Sequence, residues 1–71
     1  MVSFAVGDVL TVTADFCTSI RPECKISSFN KGELVFVIGY NVDDIGLPTV
    51  IFLTSDGIKE IYDGIIKVIM I

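Results

Sequence analysis

TVIFLTSDGIKEIY, residues 49–62, is the stretch that decides the fold. Two runs rich in β-branched and aromatic residues flank Ser55-Asp56-Gly57, and an Asp-Gly pair between such runs is a strong hairpin signal, since type I′ turns favour that dipeptide. Upstream, LVFVIGYNV (residues 34–42) is almost continuously apolar, as expected of a strand covered on both faces for part of its length. Gly39 inside it predicts a bulge or sharp bend. DDIGLP, residues 43–48, separates the two runs and reads as a surface turn.

Residues 8–16 come earlier still. There Leu10, Val12, Ala14 and Phe16 alternate with Thr11, Thr13 and Asp15, the period of a strand with one wet face. Val2, Phe4 and Val6 extend the same period as a short lead-in strand. Residues 17–32 break it with Pro22 and clusters of turn-formers, which predicts a long irregular hairpin loop. Ile20, Ile26 and Phe29 are expected to tuck from that loop into the core.

Downstream, residues 58–62 form a short strand and Asp63-Gly64 a turn that can wind as one helical step. Residues 65–71 are then expected to form a last apolar strand. A terminal helix is the rival for this segment, because its apolar residues also recur at three and four positions. β-branched content and Gly64 weigh against it. The expectation is an all-β domain: a small barrel of about five short antiparallel strands, with the whole chain as one domain.

The order of these elements resembles Src-homology-3 domains. Ala14-Asp15-Phe16 looks like the end of that family's opening motif. Phe29-Asn30-Lys31-Gly32-Glu33 looks like the aromatic and Gly-acid pair at its diverging turn. The resemblance implies an SH3-like barrel. It does not imply proline-rich-peptide binding, because the aromatic groove is not matched. Val12 and Thr13 stand where opening aromatics are expected, the chain has no Trp, and Asp63-Gly64 lies near the missing proline.

Composition narrows the function classes. The net charge of −4 repels a phosphate backbone, and Arg21, Lys25, Lys31, Lys59 and Lys67 are scattered singly. A nucleic-acid-associated barrel, or an acidic nucleic-acid mimic, is therefore the alternative and not the first reading. The start of the chain has neither a basic segment nor a long apolar run, which predicts no secretory leader and a cytoplasmic setting. No stretch is long and apolar enough for a membrane span.

Chemistry is sparse. There is no His, so Cys17 and Cys24 cannot build a zinc site or a Cys-His nucleophile; a local disulfide and two free thiols both stay open. Asp43-Asp44 lacks the offsets of a cation loop and reads as a solvated turn. Ser27 and Ser28 have no base beyond Lys25 or Lys31, and the six glycines stand singly at turns with no phosphate cradle. No cofactor, metal or small-molecule substrate is expected, and the chain is not expected to be an enzyme.

What remains is an apolar excess, 52% of the residues, on both faces of the strands. Leu34, Phe36 and Ile38 oppose Val35 and Val37, and Val50 and Phe52 oppose Ile51 and Leu53. One small barrel has one interior, so the other set is expected to be exposed and to meet a protein partner or a second copy. The expected anchors are Phe36, Tyr40, Phe52, Tyr62 and the terminal Ile69, Met70 and Ile71, the last three also able to add to the edge of another sheet.

Overall fold

The central ladder pairs β4 (Leu34–Val42) with β5 (Pro48–Thr54), and β5 continues into β6 (Gly57–Tyr62). This is a computed structural model, and it describes residues 4–20 and 25–69. With β1 (Val9–Thr11), β2 (Phe16–Ile20) and β3 (Lys25–Phe29), the described residues form six strands in two antiparallel sheets. The larger sheet has the order β1-β4-β5-β6, and β2-β3 is a separate two-stranded sheet. A helix, α1 (Asp63–Ile69), follows β6.

The hairpin at residues 54–57 forms as expected, displaced by one position. Thr54 pairs with Gly57, so Ser55 and Asp56 make the turn and Gly57 follows it at φ 111°. Only glycine adopts that backbone without strain. Thr54 Oγ1 fastens the turn, donating to the Gly57 carbonyl at 2.9 Å and accepting from Asp56 N at 3.2 Å. Gly39 also lies at the expected irregularity. Val37 pairs with Phe52 and Gly39 with Ile51, leaving Ile38 as the extra residue of a β-bulge.

Four expectations are corrected. The opening strand is two strands: β1 ends at Thr11, Val12 exchanges hydrogen bonds with Gly32 and Glu33, and β2 starts at Phe16. Residues 4–8 hold a bend and a turn but no strand, so Phe4 and Val6 are not in a lead-in strand, and Val2 lies outside the described residues. The supposed irregular loop is the β2-β3 hairpin, paired from Phe16↔Phe29 to Ile20↔Lys25, with residues 21–24 outside the described set. Last, residues 63–69 are helix and not strand; the split of the opening strand and the addition of β3 outweigh that loss, so the described residues hold six strands in place of five.

The last correction has a clear physical cause. Ile and Val give up only about 0.5 kcal/mol per residue in helix propensity, a weak bias that tertiary packing overrides. Here a helical turn delivers Ile66 into the core with no exposed surface, and Asp63 sits in the first turn, where a carboxylate suits the helix dipole.

The core is Leu10, Val12, Phe29, Val35, Val37, Val50, Phe52, Ile61 and Ile66, with Phe4 and Phe16 packed against it. The β2-β3 hairpin contacts β6, and α1 packs on β5 and β6. Phe29 stays in the core as expected, stacked on Phe16 at 4.7 Å between ring centroids, while Ile26 is exposed. Lys59 Nζ lies 4.9 Å from the centre of the Phe29 ring and donates to the Ser28 carbonyl, joining the hairpin to β6.

Candidate docking face

Strand pleating sends alternate residues of the larger sheet to opposite faces. Val35, Val37, Val50, Phe52 and Ile61 point to the core, which leaves the intervening residues outside. The pairing register aligns four of these. Val9 is opposite Phe36, Phe36 opposite Leu53, and Leu53 opposite Ile58, a row that crosses all four strands. Their exposures are 50%, 44%, 46% and 69%, so the row lies open to water. Leu34 and Ile38 widen it along β4, both exposed.

Neither the β2-β3 hairpin nor the segment before β1 covers this row in its described part. The hairpin sends Phe16 and Phe29 to the core, and Phe4 packs there as well. The Tyr40 hydroxyl donates to the Phe4 carbonyl, tying that segment to the far end of β4. Glu60, half-buried on β6, accepts from the Thr49 hydroxyl and is thereby held within the sheet.

The expected anchors divide. Phe36 is at the centre of the exposed row. Tyr40 is exposed but beyond the bulge, where it pairs with Val50 and its hydroxyl is engaged by Phe4. Phe52 is corrected: it is fully buried and belongs to the core, because β5 turns Leu53 outward instead. Tyr62 is half-buried, and its hydroxyl donates to Asp43 Oδ2 at 2.7 Å. Ile69 closes α1, so the edge-strand role drawn for residues 69–71 does not hold for it. The Ile69 side chain, Met70 and Ile71 lie outside the described residues.

Sequence reasoning missed Val9 and Ile58 as members of the face. The hairpin signal at residues 54–57 carried Ile58, because a two-residue turn sets Leu53 directly against it. Nothing local carried Val9, whose place follows from the non-local pairing of β1 with β4.

Asp43 is a second correction in chemical character. It is buried and not a solvated turn acid: Oδ1 accepts from Ile45 N at 3.0 Å and Leu47 N at 2.8 Å, while Oδ2 receives the Tyr62 hydroxyl. Its carboxylate thus shapes the β4-β5 connection. An open apolar hollow beside it is lined by Leu47, Pro48, Tyr62, Asp63 and Gly64. Cys17 is a free, exposed thiol opposite Ser28 on the hairpin, and Cys24 lies outside the described residues. Among the described residues no three His, Cys, Asp or Glu side chains gather as metal ligands, and no helix is long and apolar enough to cross a membrane.

No family model, curated protein or solved structure matches this chain.

Proposed function

We propose that this chain is a non-enzymatic interaction module that docks on a protein partner, or on a copy of itself, through the outer face of the β1-β4-β5-β6 sheet. The observation that carries the reading is the exposed row Val9, Phe36, Leu53 and Ile58. Contiguous aliphatic and aromatic surface of this kind is a known mark of interaction sites. We read the fold more finely as a diverged SH3-like barrel. In support, Lys31 N donates to Asp15 Oδ1 at 2.6 Å, bringing together the two stretches that resemble the family's motifs.

The alternative, a nucleic-acid-associated barrel or acidic mimic, has less behind it. Lys59 is engaged by Ser28, Asp56 and Phe29, and a net charge of −4 opposes a phosphate backbone.

Parallel affinity capture from an extract of the source cells tests the docking reading, with wild type, Leu53→Lys and Ser19→Lys as baits and self-association measured on each. A species retained by wild type and Ser19→Lys but lost with Leu53→Lys supports it. If nothing, self or other, depends on Leu53, the reading fails.

A further inference from the structure

We infer that the occupant of this face is a second copy of the chain, packed sheet against sheet about a two-fold axis. The inference rests on the docking reading above and names its partner.

Area is the first argument. Val9, Leu34, Phe36, Ile38, Leu53 and Ile58 are 41–69% exposed, six large apolar side chains in one patch, of the order of the roughly 300–600 Å² that the largest patch on an ordinary monomer spans. A standard interface buries about 800 Å² per partner, and homodimer interfaces are about 65% apolar, which requires about 520 Å² of apolar surface per side. One face of this kind is of the size required.

Self-complementarity is the second. A two-fold interface sets one patch against itself, so any charge near the axis meets its own sign. The six residues carry none, and Glu60 beside them is held by Thr49. Two such sheets pack about 10 Å apart with interleaved side chains, as in a sandwich, with the axis through the uncharged row and Glu60 at its margin. The chain also has reason to gain from the contact, because a domain of 71 residues buries a modest share of its own surface.

Charge elsewhere fixes the sign of the salt response. Each copy carries −4, so long-range repulsion opposes association and added salt relieves it. Phosphate recognition would respond in the opposite direction.

Sedimentation velocity from about 5 µM to about 500 µM tests this, with and without reductant. The expected result is a reversible species of twice 7.7 kDa that tightens with salt and ignores reductant. Leu53→Lys and Ile58→Lys, each placing an ammonium in the interface, are expected to raise the dissociation constant by roughly 100-fold or more, while Ser19→Lys on the hairpin leaves it unchanged. Both target positions are already exposed in the single chain, so circular dichroism and thermal melting should show intact folds. A wild type that stays monomeric throughout, a dimer that salt weakens, or a dimer that both lysine variants leave intact overturns the inference. A monomeric wild type whose capture of another protein still depends on Leu53 overturns the second copy alone and leaves the docking face standing. Loss of Leu53 dependence in both assays removes the face itself.

Discussion

Phe29→Ala is expected to detach the β2-β3 hairpin before the larger sheet unfolds. Phe29 is 1% exposed, stacks on Phe16 with the rings 10° from parallel, and lies under Lys59 Nζ. Removing the ring costs about 2 kcal/mol of transfer free energy. About 100 Å³ of unfilled space adds about 2 kcal/mol at about 24 cal/mol per Å³. The lost stack adds about 1 kcal/mol. The total, about 5 kcal/mol, compares with about 4–11 kcal/mol expected for a whole domain of this length. A two-stranded hairpin has little stability alone, so the loss should fall on β2 and β3 first. Urea unfolding gives the global figure, and amide hydrogen exchange gives its distribution. Protection in residues 16–20 and 25–29 should collapse, while that of β4 and β5 falls only as far as the global stability does. Phe29→Leu fills most of the space and should lose only about 1–2 kcal/mol through the stack and the cation contact. Protection that falls equally in both sheets, or a Phe29→Ala loss under about 1 kcal/mol, would refute the reasoning.

Asp43→Ala strands two backbone N–H groups and the Tyr62 hydroxyl, and should lower stability by about 3 kcal/mol in urea melts. Asp43→Asn keeps one acceptor oxygen for both N–H groups and offers an amide to Tyr62, so its loss should stay near about 1 kcal/mol; equal losses for the two variants would count against the assigned bonds. Gly57→Ala, at φ 111°, should cost about 1–2 kcal/mol by thermal melting. Gly39→Ala should change stability by less than about 1 kcal/mol, because a Cβ there meets only Ile51 Cδ1 at 3.9 Å.

Much of the larger sheet was legible because its signals are local. The turn around Ser55 and Asp56 fixes β5 against β6, alternation separates Val50 from Ile51, and Gly39 marks the bulge. Which of the two apolar sets faces inward was not legible. Phe52 and Leu53 are equally suited to a core, and only the hairpin and α1, packed against one side, decide between them. Those were the two elements the sequence read least well. Ser27, Ser28 and Lys25 look like loop residues because β3 belongs to a two-stranded sheet, where few positions need to be apolar. Residues 65–69 look like strand because propensity is all that a short segment displays, while the space that Ile66 fills is created by strands distant in sequence. Asp43 beside Asp44 gave no sign that one is buried and the other exposed, since the difference depends on Tyr62, nineteen residues away.

The bulge in β4 has a bearing on which lengths of chain this fold can accept. Ile38 is the residue without a partner, so its deletion would leave Val37 against Phe52 and Gly39 against Ile51, with every other rung of the ladder in place. Removing Val35 or Phe36 would instead shift the residues between the gap and the bulge by one position and turn a core valine into water. Relatives of this protein should therefore differ in length within this strand by one residue only at the bulge, and by pairs elsewhere. The bulge is a place where evolution can shorten the strand without recomposing the core.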